Sequence, residues 1–238
     1  MLLTVDELEP RPLGWPAGLS GFGIPYRWVC IESPANSGKS DAVDQVQAAL
    51  VEHLASTCEH LGAGSIGRES AEAMVAGVHR VRQPGAELEL DDGQVVNLRE
   101  LARSDLPPAA AFGLFMADRV LQNRKVVEML DSCSLVIQER GAFSTYVYQC
   151  VLGGISSSIF AATTAALTPE LPDLMILLSP PAGDGGDAEA YRNPPAHILR
   201  LCAKNFALVS TDGLSSEQIA AAIVEAMSGQ RLVLPLDR

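Results

Sequence analysis

The sequence predicts an α/β fold, with a mostly parallel five-stranded sheet and helices on both faces. Three observations predict it. Five short apolar runs are each followed by a segment with helical spacing. The runs at 27–32 (RWVCIE), 134–139 (SLVIQE) and 173–179 (DLMILLS) are almost continuously apolar, as strands covered on both faces are. The first run also passes through a turn ending Gly38-Lys39-Ser40 directly into a helical pattern. Strands that alternate with helices pair in parallel, because each helix carries the chain back to the starting end of the sheet.

Each element has its own signal. Residues 1–26 contain Pro10, Pro12, Pro16 and Pro25 and read as an irregular N-terminal extension that packs on the domain. Residues 27–238 read as one domain, since 238 residues with 47% hydrophobic content support a single full core. After the strand at 27–32, apolar Val43, Val46, Leu50 and Leu54 share one helical face over 38–61, and Gly62 and Gly64 end it. A short helix at 72–76 and a second strand at 77–82 follow. Residues 87–98 alternate apolar and polar on both sides of Asp91-Asp92-Gly93, which predicts an inserted hairpin. Pro107 and Pro108 open a long helix over 107–130. Residues 134–139 form the third strand and 143–166 a mostly helical stretch. Residues 173–179 are the fourth strand. The Pro-, Gly- and Asp-rich stretch at 180–195 reads as a mobile loop. A helix at 196–204, a strand at 206–210 and an amphipathic helix at 215–227 close the chain. The apolar tail at 232–236 suits either core or an interface.

Charge and cysteine content narrow the function. A net charge of -12 repels phosphate polymers and argues against a nucleic-acid partner. A small anionic substrate is still compatible, because a few arginines can dominate one cleft. Cys30, Cys58, Cys133, Cys150 and Cys202 are scattered without a CxxC pair, which points to a reducing, cytoplasmic setting. No run reaches the roughly 18–20 apolar residues of a spanning helix, so no membrane partner is expected. Acidic Asp6, Glu7 and Glu9 stand where a secretory leader has basic residues.

Ser33-Pro34-Ala35-Asn36-Ser37-Gly38-Lys39-Ser40 matches the phosphate-loop pattern G-x-x-x-x-G-K-[ST] except at its first position. In such a loop, backbone N–H groups at a helix start converge on phosphate oxygens, and the helix dipole adds to the attraction. Lys39 would reach the β- and γ-phosphates of ATP, and the Ser40 hydroxyl would sit on Mg²⁺. Pro34 removes one N–H from the cradle. Phosphoryl transfer also needs a cation at each phosphate and a carboxylate near the metal. Arg82, Arg140 and Lys39 can supply the first and Glu139 the second, all at or just past strand ends, where open α/β sheets bind ligands. Taken alone, Phe115 on an apolar helix reads as core, and Glu139-Arg140 reads equally as a structural ion pair.

Four segments in order resemble the thymidylate kinases: the phosphate loop preceded by Ile31-Glu32; Arg82-Gln83-Pro84-Gly85; Leu114-Phe115-Met116-Ala117-Asp118-Arg119; and Glu139-Arg140 followed by Ser144-Thr145 and Tyr148-Gln149. Pro172-Asp173-Leu174 is similar to the same family's fourth strand. The resemblance implies a three-layer P-loop kinase fold, ATP as donor, Mg²⁺ as cofactor, a small nucleotide as substrate and a homodimer. It also implies residue roles. Phe115 would stack on the acceptor base and Arg119 would face the base edge. Arg82 would hold the acceptor phosphate, and Arg140 would sit between the acceptor and donor phosphates. Ser144, Tyr148 and Gln149 would line the acceptor pocket, and Glu139 would stand near Mg²⁺. The expected activity is ATP-dependent phosphorylation of a deoxynucleoside monophosphate, dTMP or a 5-modified dUMP, to the diphosphate.

Three departures from the family are visible. Ala35 replaces an acidic residue of the phosphate loop, the hairpin at 87–98 is inserted, and the lid at 180–195 is short. Arg192 is the candidate for the lid arginine that supplies charge to the transition state. Two alternatives stand beside this reading. One is a nucleotide-binding protein with impaired catalysis. The other is a kinase acting on modified bases in DNA.

Overall fold

The structure is a computed structural model, and it describes residues 19–34, 39–60, 71–72, 75–85, 87–89, 95–102, 105–132, 135–168, 170–180, 186–229 and 233–235. Most of the expected extension and the hairpin's Asp-Gly turn lie outside these residues.

The strands are β1 (Trp28–Glu32), β2 (Val78–Arg82), β5 (Leu135–Glu139), β6 (Leu174–Ser179) and β7 (Asn205–Ser210), together with the hairpin strands β3 (Glu87–Glu89) and β4 (Val95–Asn97) and a final β8 (Val233–Pro235). The helices are α1 (Lys39–His60), α2 (Leu98–Ala102), α3 (Pro108–Leu130), α4 (Ala142–Thr145), α5 (Ser157–Leu167), α6 (Gly186–Arg192), α7 (Ala196–Cys202) and α8 (Ser216–Met227). The main sheet runs β2-β5-β1-β6-β7-β8. Its first five strands are parallel, as expected. The sixth, β8, is an antiparallel addition on the β7 edge formed by part of the apolar tail. The hairpin pairs only with itself, as a separate two-stranded sheet.

Strand alternation divides the sheet into two unlike faces. Val29 and Ile31, Leu135 and Ile137, and Leu174, Ile176 and Leu178 pack with α1 and α8 in one large aliphatic cluster. Leu19 and Ile24, at the end of the extension, join it. The intervening residues Met175, Leu177 and Phe206 pack with Phe112, Phe143, Tyr146, Phe160 and Tyr191 from the helices of the other face. That second face also buries Gln83, Asp118, Arg119, Gln138, Ser144 and Thr145.

Two stretches differ from expectation. The helical stretch after β5 is interrupted. α4 widens into a π-helical turn over Tyr146–Val151, breaks, and restarts at α5 with Ser156 as its N-cap. Gly153 and Gly154 cause the break. A Cβ on Gly153 would meet the Gln149 carbonyl oxygen at 2.7 Å, and Gly154 sits at φ +75°. The expected loop at 180–195 contains helix α6, because Ala188 and Tyr191, three residues apart, both bury completely.

Parallel register fixes where a site can form. Ile31 lies opposite both Glu139 and Ile176, and Arg82 lies opposite Glu139. The carboxyl ends of β1, β2 and β5 therefore end level. The chain passes from β5 on one side of β1 to β6 on the other, and this reversal opens a crevice at those ends.

Candidate active site

A cavity of about 360 Å³ occupies the second face at the level of these strand ends. Every residue expected at an acceptor site lines it: Arg82, Phe115, Arg119, Arg140, Ser144, Tyr148 and Gln149. Gln83, Pro84, Ala102 and Thr145 complete the lining. Phe115 and Arg119 reach the same wall because residues four apart share a helix face.

Arg119 forms the buried floor, with 3% of its surface exposed. Its guanidinium donates to Gln83 Oε1 through Nη1 and to Thr145 Oγ1 at 2.5 Å through Nη2. Nε is buried with no partner among the described residues. Burial lowers its pKa, and Glu32, Cys30 and Asp118 pull it back up. Gln83 donates its amide to Asn123 Oδ1 at 3.2 Å, and Asp118 Oδ1 accepts from Gly85 N at 2.9 Å, so the β2 turn is bolted to α3.

Arg140 leaves the sheet at φ 64°, a left-handed conformation unusual for a residue with a side chain. Backbone bonds hold it there. Its N–H donates to Ile31 O at 2.9 Å, and its carbonyl accepts from Gln138 Nε2 at 2.8 Å. The guanidinium lies 5.6 Å from the Tyr148 ring centroid and donates to Ser144 Oγ at 3.4 Å. Burial works against its charge, but Tyr148, Tyr191 and Glu32 outweigh it and raise its pKa. Burial also raises the Tyr148 pKa against the opposing pull of Arg140, and the phenol donates to Asp187 Oδ2 on α6 at 3.1 Å.

Two buried carboxylates at neighbouring strand ends point to opposite faces. Glu32 follows Trp28 and Cys30 toward the cavity face. It accepts from Gly141 N at 2.6 Å, from Ser144 N at 3.1 Å and from the Ser144 hydroxyl, which caps α4 at its positive end. A Cβ at Gly141 would strike Cys30 Sγ at 2.6 Å and crowd Glu32 Oε1 at 3.1 Å. Glu139 follows Leu135 and Ile137 toward α1, where its Oε2 accepts from Ser40 Oγ at 3.2 Å. Arg80 binds its other oxygen, donating through Nε at 2.6 Å and again through Nη2, while Nη1 donates to Asp44.

The other sequence-derived candidates are placed as follows. Ser33 is buried, and its hydroxyl donates to Pro34 O at 3.1 Å. Ala35, Asn36, Ser37, Gly38 and the Lys39 side chain lie outside the described residues. Arg192 does not line the cavity. It ends α6, with Nε 3.4 Å from Ala188 O and 3.6 Å from Glu189 Oε2. Sequence reading missed Glu32, Gln83, Thr145 and Arg80 as parts of the site. For Glu32 a signal existed: an acidic residue on the inward side of an apolar central strand must find partners at the strand's end.

Residues 93–184 match the family model for thymidylate kinase. That span holds Phe115, Arg119, Glu139, Arg140, Ser144, Tyr148 and Gln149. The fold is similar to two solved enzymes. Against thymidylate kinase from Ehrlichia chaffeensis the TM-score is 0.53 at 19% identity, covering 85% of this chain and 98% of that one. Against thymidylate kinase from Candida albicans it is 0.52 at 14% identity, covering 86% and 92%. No curated protein matches the sequence. The chain thus has the fold of the thymidylate kinases and, over residues 93–184, the sequence pattern of that family.

Proposed function

We propose that the protein transfers the γ-phosphoryl group of ATP to a deoxynucleoside monophosphate, dTMP or a 5-modified dUMP. One observation carries this reading. In a chain of net charge -12, the described residues that line the cavity include three arginines and no carboxylate. Such a pocket selects a small anion with an apolar body, and Phe115 offers that body an aromatic face.

Each role follows from the chemistry of transfer. A phosphate oxygen of the acceptor attacks the γ-phosphorus, the bond from that phosphorus to the β–γ bridging oxygen breaks, and ADP leaves. Arg82 holds the acceptor phosphate at the cavity mouth. Arg140 bears on the phosphates from the neighbouring strand end, and its backbone bonds fix it before the reaction begins. Ser33 through Ser40 cradle the donor, with Lys39 on its β- and γ-phosphates. The Ser40 and Glu139 oxygens fit a shared Mg²⁺: neighbouring ligands of an octahedral ion lie about 3 Å apart, and these two lie 3.2 Å apart. When bound, Mg²⁺ neutralises phosphate charge. Arg192 is the lid residue assigned to the transition state. The protein works as a homodimer in the cytoplasm. ADP release is measured with MgATP over a panel of nucleoside monophosphates that includes 5-substituted dUMPs; no turnover above background with any of them sinks the proposal.

A second reading, nucleotide binding without transfer, is favoured by Arg192, which contacts Ala188 and Glu189 and does not line the cavity. ATP binding with no ADP release for any acceptor selects it.

A further inference from the structure

Three groups meet at the single hydroxyl of Ser144. It donates to Glu32 Oε2, since a carboxylate only accepts, and Glu32 Oε1 already takes the Gly141 and Ser144 amides. Arg140 Nη1 donates to it at 3.4 Å, because a guanidinium cannot accept. The third partner is the Tyr191 hydroxyl at 3.1 Å. With its one proton committed to Glu32, Ser144 Oγ can only accept from the phenol, so Tyr191 is the donor. The phenol has a proton to give: burial, and after it the Glu32 charge, push its pKa well above the ordinary range. One proton given and two lone pairs filled complete the Ser144 hydroxyl. It lines the acceptor cavity with no bonding position left over for a ligand.

Tyr191 belongs to α6, 47 positions along the chain from Ser144. It is fully buried and meets Phe143 edge-on, with ring centroids 5.2 Å apart at 82°. The ring therefore anchors α6 by packing, and the hydroxyl adds direction. A second side-chain partner of Arg140 is tied to the same helix, because Tyr148 donates to Asp187. We propose that Tyr191 is a positioning residue: its donation to Ser144 locks that hydroxyl between Glu32 and Arg140, so the seating of α6 sets where the Arg140 guanidinium stands in the cavity. This rests on the phosphotransferase reading above. It gives α6 a part in the transfer that does not require Arg192 to reach the cavity.

The test compares kcat and acceptor KM for ADP release in the wild type, Tyr191→Phe, Ser144→Ala and the double variant. It uses MgATP and the nucleoside monophosphate of the panel above that turns over fastest. Tyr191→Phe keeps the ring against Phe143 and deletes the donor. It should lower kcat about five- to twentyfold while acceptor KM stays within about twofold, because Arg82, Phe115 and Arg119 still hold the acceptor. In Ser144→Ala the other end of that bond is gone, so adding Tyr191→Phe should lower kcat by no more than about a further 1.5-fold. A role in packing alone would lower the denaturation midpoint of Tyr191→Phe and leave the kcat of the folded protein unchanged; that result overturns the proposal. So do losses in kcat that multiply in the double variant. Where Ser144→Ala does not fold, Tyr191→Phe decides alone, and an unchanged kcat or a loss carried only by KM overturns the proposal. A wild type that releases no ADP with any acceptor sinks the phosphotransferase reading, and this proposal with it.

Discussion

The two faces of the sheet are built from the same strands yet solve different problems. Against α1 and α8, alternate residues of β1, β5, β6 and β7 form an aliphatic cluster. Against α3, α4 and α7, the intervening residues meet aromatic rings and a buried polar set that includes Arg119, Gln83, Thr145, Ser144 and Glu32. The first face is held chiefly by burial, which is non-directional and tolerant of detail, with the Glu139 contacts to Ser40 and Arg80 confined to its strand-end edge. The second is held by hydrogen bonds with fixed partners, where each unmade bond is costly. The comparison teaches that stability and site geometry are largely assigned to opposite sides of one sheet. Substitutions should therefore separate them.

The largest expected effect is kinetic. Arg140→Met keeps a side chain at φ 64° and so adds no new backbone strain. It removes the cation held over Tyr148. An arginine that stabilises transferring phosphoryl charge is worth about 10³-fold or more in kcat. We expect kcat to fall on that scale while thermal unfolding shifts by no more than a few degrees, as read by steady-state kinetics and calorimetry on one preparation. A melting point that collapses together with kcat would break the separation.

The reciprocal substitution is Leu50→Ala on α1. Leu50 is fully buried in the aliphatic cluster. Its truncation leaves a cavity and should cost about 3 kcal/mol in chemical denaturation. Acceptor KM and kcat, measured well below the lowered melting temperature, should stay within about twofold of the wild type, since the acceptor cavity is built on the other face and Leu50 lies ten residues along α1 from Ser40. A large KM change here would show that the faces are coupled.

Glu32→Gln sharpens the comparison, because Glu32 belongs to both problems. It ends a core strand and also holds the α4 N-terminus and Ser144, which in turn accepts from Arg140. Hydrogen bonds to a charged acceptor contribute about 1.5–3 kcal/mol each. We expect a loss of about 2 kcal/mol in stability and, through the displaced Ser144 and Arg140, a fall of roughly tenfold in kcat/KM. Loss of stability with unchanged kinetics would make Glu32 a cap and nothing more.

How much of this was legible in the sequence follows the same division. The five parallel strands were readable because apolar runs and helical spacing are local signals. The set that lines the cavity was reached through the resemblance to the thymidylate kinases, since Phe115 taken alone reads as core and Glu139-Arg140 as a structural ion pair. What stayed hidden depends on pairings far apart in the chain. Arg80 meets Glu139 across 59 positions, Glu32 meets Gly141 across 109, and Gln83 meets Arg119 across 36. No local pattern encodes such partners. Helix α6 was concealed for another reason: glycine, proline and aspartate dominate its surroundings, and only the buried Ala188 and Tyr191 disclose it.

The smallest effect we predict concerns the link between the cavity and α6. Tyr148 forms part of the cavity wall, carries Arg140 over its ring and donates its hydroxyl to Asp187. Its pKa is raised, chiefly by burial, so the phenol keeps its proton and remains a donor across neutral and mildly alkaline pH. Tyr148→Phe retains the ring and deletes the hydroxyl, which hydrogen-bonds Arg140 as well as Asp187; the bond to Asp187 is the one that reaches α6. One neutral donor to a charged acceptor at a half-buried position is worth about 1 kcal/mol. If that bond holds α6 against the cavity wall, its loss should raise the acceptor KM by about three- to fivefold with kcat nearly unchanged, because the ring still supports Arg140. Thermal unfolding should shift by only about 2–4 °C, since α6 keeps its anchor through the buried Tyr191. A fall in kcat with KM unchanged would assign the hydroxyl to the transfer step instead. It would place α6 among the elements that act on the phosphates, and Arg192 with it.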